Sequence, residues 1–213
     1  MNRRFLGQVA VSLLAVFAAT GALVAHAADE APDALVKRLS TDVLNSIKAD
    51  KSIQAGDISK IVALVDSKIM PNVNFQRMTA SAVGPGWRQA TPEQQQKLQD
   101  EFKTLLVRTY SGALSQVSND QTIVVQPLRA GADDSDVVVR TQVRGSGDPI
   151  QLDYRLEKTP GQGFGWKIYN LNVMGVWLVE TYRSQFAQEI NAKGIDGLIA
   201  TLTERNKANA RKS

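Results

Sequence analysis

The sequence has 213 residues, 43% of them hydrophobic, with 25 lysines and arginines against 21 aspartates and glutamates. It contains no cysteine and one histidine, His26, which falls in an N-terminal leader. The rest of the chain therefore lacks the groups for disulfide staples, thiol or Ser-His-Asp nucleophiles, and thiolate-histidine zinc sites, and keeps only carboxylates, tyrosines, lysines and oxygen-ligand metals.

The leader carries Arg3 and Arg4, then an apolar run from Val9 to Val24 interrupted only by Ser12, Thr20 and Gly21. Ala25-His26-Ala27 supplies the small-x-small pattern that signal peptidase reads. Residues 1–27 are expected to be a cleaved signal peptide, with cleavage near Ala27 and export to an extracytoplasmic compartment. The rival is an uncleaved anchor, but 16 residues is marginal for spanning ~30 Å of hydrocarbon. Residues 28–213 are expected to form a single domain with a sizeable core. The leader takes away two basic residues and no acidic ones, leaving 23 against 21 and a formal charge of +2. Arg205, Lys207, Arg211 and Lys212 concentrate the excess in a short basic C-terminal tail, read as a solvated end. No basic stripe alternates with aromatics, so no nucleic-acid partner is expected.

Leu35, Leu39, Val43 and Ile47 recur every fourth residue behind Pro32, predicting an amphipathic helix. Ile58, Ile61, Val62, Val65 and Ile69 predict a second helix, stopped before Pro71. A short third carries Val73, Phe75, Met78 and Val83 up to the breaker Gly84-Pro85-Gly86. Thr91-Pro92-Glu93-Gln94 is a capping-box start, followed by the apolar stripe Leu98, Phe102, Leu105, Leu106 and Tyr110.

The pattern then turns extended. Ile150, Leu152, Tyr154 and Leu156 alternate with Gln151, Asp153, Arg155 and Glu157, one apolar face against one wet face. Val137, Val139 and Val143 line one face of the preceding strand, and Ile123 to Leu128 and Trp166 to Val173 supply two more. Turn signals at Gly131–Asp134, Gly145–Asp148 and Pro160–Gly163 separate these segments. A four-stranded antiparallel meander is expected. Leu178, Tyr182, Phe186 and Ile190 mark a helix ending at Gly194, and Ile195, Leu198, Ile199 and Leu202 a last one. The fold class is α+β, with helices packed on the apolar face of the sheet.

Two stretches carry a resemblance. One is Gly86-Trp87-Arg88 with Gln94, Phe102, Leu106 and Tyr110. The other runs from Gly165-Trp166-Lys167-Ile168-Tyr169-Asn170 through Gly175-Val176-Trp177-Leu178-Val179 to Tyr182-Arg183-Ser184-Gln185-Phe186. Together they resemble the toluene-tolerance family, which includes the periplasmic phospholipid-binding component of the Mla system. The likeness spans nearly the whole chain after the leader. It departs from the family pattern at Asn170, Met174 and Trp177, where that pattern has aspartate, an acidic residue and serine.

The resemblance implies a curved antiparallel sheet in a nuclear-transport-factor-like cone, with an apolar cavity for lipid tails and no enzymatic activity. It implies phospholipid as cargo and no cofactor. The implied partners are an inner-membrane ATP-driven lipid transporter and an outer-membrane lipoprotein-porin complex, and the implied role is maintaining outer-membrane lipid asymmetry. Energy input would lie with a partner, since the chain has no phosphate-binding Gly-x-x-x-x-Gly-Lys motif. On this reading Val137, Val139, Ile150, Leu152 and Tyr154 form one wall of the tail site. Phe75, Phe102, Leu106, Tyr110, Val173, Val176 and Trp177 form the other. Arg88, Lys167 and Arg183 are the candidates for a head-group phosphate. From periodicity alone the same apolar residues would be solid core. Two other functions are weighed: an adaptor docking a partner through its apolar sheet face, and an enzyme using Asp153 with Tyr154. Neighbours on a strand point to opposite faces, so Asp153 is expected as a solvated sheet charge instead.

Overall fold

Helix α1 (Pro32–Ala49) begins with proline in its first turn after extended Ala31. The short helices α2 (Lys51–Gln54) and α3 (Ile58–Leu64) each follow an aspartate cap, Asp50 accepting from the Ser52 amide at 2.8 Å and Asp57 from that of Lys60 at 3.2 Å. This structure, a computed structural model, describes residues 30–129, 131 and 133–210. The leader with His26, and Arg211 and Lys212 of the tail, lie outside the described residues.

The second predicted helix does not run unbroken to Pro71. It passes into a π-helical turn at Val65–Ile69 and a 3-10 turn at Met70–Asn72. Pro71 has no amide proton to donate, and its ring crowds the preceding turn. Asn72 Nδ2 instead donates to the Lys68 carbonyl at 2.9 Å. Helix α4 (Phe75–Val83) is capped by Asn74, whose Oδ1 accepts from the Arg77 amide at 2.9 Å. Helix α5 (Pro92–Leu114) starts with the predicted capping box: Thr91 Oγ1 accepts from the Gln94 amide and Gln94 Oε1 from the Thr91 amide.

The sheet is an antiparallel meander with strand order β1-β2-β3-β4-β5, formed by Thr122–Val125, Asp136–Arg144, Ile150–Lys158, Trp166–Val173 and Val176–Trp177. It has five strands, where four were expected. The fifth arises because Met174 (φ 53°) and Gly175 (φ 89°) are both left-handed and fold the chain back on β4. Methionine is a rare choice there, so the turn carried no sequence signal. A register shift at Arg155/Leu156 leaves Tyr169 as an extra residue on β4, the kind of irregularity that bends a strand.

Cross-strand pairing fixes the faces. Val137–Leu156–Ile168, Val139–Tyr154–Leu171 and Thr141–Leu152–Val173 share the inner face. Arg140–Asp153–Asn172 and Val138–Arg155–Asn170 share the outer one. Near the start of β2, Arg77 of α4 ties the layers together. Its guanidinium lies 3.5 Å over the Tyr169 ring and bonds Glu157 at 2.6 Å and Asp136 at 3.2 Å. Burial and the bond to Asp136 push the Tyr169 phenol up to about 12.

Helix α6 (Leu178–Ala210) breaks at Gly194, whose φ of 71° and ψ of −173° are not helical. Its two halves lie antiparallel, since Thr201 bonds Glu189 at 2.9 Å and Arg205 bonds Gln185 at 3.2 Å. The apolar residues gather in three clusters. The largest joins α4, α5 and α6 around Phe102, which meets Tyr182 and Phe186 edge-on at 5.0 and 5.3 Å. A second packs Leu35, Val36 and Leu39 of α1 on Val137, Val139, Leu156, Trp166 and Ile168. The third joins Ile47 to Ile53, Ile61 and Leu64.

Candidate functional site

A domain of this size usually closes one contiguous core with small satellites. Here the clusters stay distinct, with half-buried Val73 bordering the first and second and Val43 the second and third. Apolar residues at their margins are only half-buried. On the inner sheet face, Ile150, Leu152 and Val173 belong to none of the three clusters. On the helical side, Phe75, Leu106 and Tyr110 fringe the first cluster. Helix α5 packs chiefly on α6, α3 and α4 rather than on the sheet. Ile150, Leu152 and Val173 of the sheet and Phe75, Leu106 and Tyr110 of the helices are thus only partly packed.

A cleft of about 320 Å³ opens between α5 and the two halves of α6. Leu105, Thr109 and Tyr110 line it from α5, Thr181, Tyr182 and Gln185 from the first half of α6, and Arg205, Ala208 and Asn209 from the second. Burial pushes the phenols of Tyr110 and Tyr182 up, so both keep their protons at neutral pH.

The predicted wall residues divide by depth. Val137 and Val139 are fully packed beneath α1, and Phe102 sits inside the helical cluster. Tyr154 adjoins the second cluster, its hydroxyl 3.1 Å from Ser40 Oγ, and burial pushes its phenol up. Phe75, Leu106, Tyr110, Ile150, Leu152 and Val173 remain half-buried. The two residues of β5 do not continue the apolar wall. Val176 pairs with Val173 but is 51% exposed at the sheet's edge. Trp177 pairs with Asn172 on the outer face, where the Arg155 guanidinium lies 4.2 Å over its ring.

The three head-group candidates are scattered. Arg88 is exposed in the 3-10 turn Gly84–Arg88, Lys167 donates to the Pro71 carbonyl, and exposed Arg183 lies against Gly84. None lines the α5/α6 cleft; Arg205, assigned from sequence to the basic tail, does. Only the hairpin at Gly194 brings Arg205 opposite Gln185, which no local pattern announces.

Asp153 is not the solvated charge expected. It is 5% exposed, accepts from Gln151 Nε2 at 2.8 Å and shares the outer face with Asn172, beside which β5 adds Trp177. Tyr154 points to the inner face, so the two form no acid-base pair. Among the described residues no group of three or more His, Cys, Asp or Glu could hold a metal ion, and no helix is long and apolar enough to cross a membrane. The apolar sheet face is covered by α1 along β2 to β4, so it is no free docking surface there.

Residues 37–204 match the family described as MlaC protein. The chain belongs to the MlaC family. A curated relative, toluene tolerance protein ttg2D of Pseudomonas putida, is 30% identical over 171 residues, 79% of this chain and 77% of its own length. Another is the intermembrane phospholipid transport system binding protein MlaC of Haemophilus influenzae, 24% identical over 179 residues and 83% of each chain. Among solved structures, a phospholipid-binding protein from Ralstonia solanacearum in complex with a phospholipid is 51% identical, with a TM-score of 0.79. The match covers 84% of this chain and 98% of that one. The family expected from the two resembling stretches, and the α+β class expected from the order of helices and strands, are those of the MlaC proteins.

Proposed function

We propose that this MlaC-family chain is a periplasmic phospholipid carrier. It receives a lipid at one membrane complex, encloses the acyl chains between the inner sheet face and the helices, and releases the lipid at another. The observation that carries this reading is that Leu152 and Val173 on the inner sheet face, and Leu106 and Tyr110 on α5, are only half-buried. The phospholipid held by the 51%-identical Ralstonia solanacearum protein supports the same cargo. The physical need is large. A two-tailed lipid exposes roughly 30 methylenes, and at about 0.8 kcal/mol each, unaided transit through water carries a penalty above ~20 kcal/mol.

The cleft between α5 and α6, about 320 Å³, is at the lower end of the ~300–1,000 Å³ range of drug-sized sites and too small for both tails. Tail binding therefore requires the sheet-helix layer, with the clusters on either side moving apart where Ile150, Leu152 and Val173 are already loosely packed. Shielding, not chemistry, is the activity; the protein is not an enzyme. Its partners in this reading are an outer-membrane lipoprotein-porin complex and an inner-membrane ATP-driven transporter, and its work maintains lipid asymmetry in the outer membrane. The leader is cleaved near Ala27, which frees the carrier to leave the membrane.

The test is extraction of the purified mature protein with organic solvent and mass spectrometry of the extract. About one phospholipid per chain is expected. Absence of lipid, together with failure to take lipid from phosphatidylethanolamine vesicles, would overturn the reading.

A further inference from the structure

We propose that the cleft between α5 and the two halves of α6 is the subsite for the phosphodiester of the lipid head group, with Arg205 supplying the charge and Tyr110 and Tyr182 the neutral donors. The inference rests on the carrier reading and assigns to Arg205 what the sequence suggested for Arg88, Lys167 or Arg183.

Arg205 takes part in no ion pair among the described residues, unlike three other arginines; Arg144 likewise bonds only the Gln142 amide oxygen, but at the exposed end of β2 and outside the cleft. Arg38, Arg77 and Arg155 each hold a carboxylate: Glu30, Glu157 and Glu180. Arg205 instead donates to the neutral amide oxygen of Gln185 at 3.2 Å, and among the described residues it has no carboxylate within ion-pair distance. The nearby Glu189 carboxylate, which the Arg205 charge helps to lower, is itself bonded by Lys193 and Thr201. A guanidinium that lines a cleft with no carboxylate bonded to it can receive an anion, and its planar fork matches two phosphate oxygens.

The surroundings fit a phosphodiester better than a fully hydrated ion. Thr109, Tyr110 and Tyr182 are hydroxyl-bearing residues of the lining, Thr181 Oγ1 being engaged on the Trp177 carbonyl, while Leu105 and Ala208 supply apolar surface for the glycerol end. Both phenols are protonated, since burial raises them, and so can donate. The volume, about 320 Å³, suits a phosphate with its attached glycerol. Tyr110 belongs both to this cleft and to the half-buried apolar fringe of α5. A lipid anchored at Arg205 would pass Tyr110 on its way into the layer between α5 and the sheet. The phosphate then stays at the surface beside a cation, where its desolvation cost is small.

The test compares the mature wild type with Arg205→Gln and Tyr110→Phe, each offered phosphatidylethanolamine vesicles, phosphatidylglycerol vesicles or inorganic phosphate alone. Bound lipid is counted by mass spectrometry, and the bound phosphorus is followed by its NMR shift. Loss of one charge-assisted contact should weaken retention of both lipids about tenfold in Arg205→Gln and move the phosphorus resonance. Tyr110→Phe should give a smaller change in the same direction. Arg205 is exposed, so its variant should melt with the wild type. Wild-type protein that loads lipid, with Arg205→Gln matching it in retention and phosphorus shift, refutes the subsite and leaves the carrier reading standing. Wild type that loads no lipid refutes both. Binding of inorganic phosphate in an Arg205-dependent way, without any effect of Arg205 on lipid, refutes the head-group assignment and identifies a free-phosphate site.

Discussion

Two valine-sized decisions on one sheet face separate cavity from core. Val139 and Leu152 both point inward, but Val139 is 1% exposed beneath Leu35 and Val36, whereas Leu152 is half-buried and joins no packed cluster. Val139→Trp must force a large ring into filled space, costing about 1–3 kcal/mol. For a chain of this length that lowers Tm by roughly 2–12 °C, at about 2–4 °C per kcal/mol. Leu152→Trp meets looser surroundings and should shift Tm by no more than a few degrees. If its indole displaces about two methylenes of a bound tail, at about 0.8 kcal/mol each, lipid affinity falls about fifteenfold. Thermal denaturation monitored by circular dichroism gives the first quantity, and competition with lipid vesicles gives the second. Equal destabilisation by both variants, with lipid affinity unchanged in Leu152→Trp, would refute the argument that the Leu152 end of the sheet borders a lipid layer.

Four further outcomes follow from local geometry. Gly194→Ala should destabilise by about 1–3 kcal/mol, because φ 71° with ψ −173° is a region essentially closed to side chains, although nothing lies within 4 Å of the added methyl. The same substitution at helical Gly112, which also has open space around it, should stabilise by about 0.5–1 kcal/mol, and denaturant melts of the two variants should move in opposite directions. Burial raises the Glu101 carboxyl, but bonds from Asn206, Lys97 and Thr203 outweigh this and hold it below the usual range. The unfolded chain therefore binds that proton more readily, so this stabilisation is complete above the ordinary carboxylate pKa and fades as pH falls through the folded value. Glu101→Gln should flatten the acid limb of a stability-against-pH curve. Arg77→Met removes two ion pairs and the stack on Tyr169, all partly exposed, and should cost about 1–2 kcal/mol in a denaturant melt.

Local chemistry was legible wherever a few adjacent residues decide it. The Thr91 capping box, the alternation from Ile150 to Glu157 and the helix break at Gly194 each need no distant partner. The π-helical turn after Leu64 and the strand after Met174 depend on backbone states that their residue types do not advertise. The candidate site was harder for a different reason. Val139 and Leu152 look alike in a hydropathy pattern, and only the position of α1 over one end of the sheet tells them apart. Arg205 reads as part of a basic tail until the antiparallel halves of α6 place it against Gln185. Conversely, Asp153 is charged and sits at a polar position in the alternation, yet neighbouring Gln151, Asn172 and an added strand withdraw it from water.

The order of strand lengths in the sheet bears on how such a protein survives its own cycle. The long strands have nine, nine and eight residues, and the outermost strands are β1 with four residues and β5 with two, which cover only part of β2 and β4. On the carrier reading proposed above, layers that part to admit lipid would show greasy surface to a crowded compartment at each round. Sheets in that condition polymerise by adding a neighbour's backbone along a free edge. Here β5 and the bridge from Val73 and Asn74 to Ile168 break up the outer edge of β4, and β1 with Gln126 covers the later half of β2, so no long stretch of free backbone is left to template a partner strand.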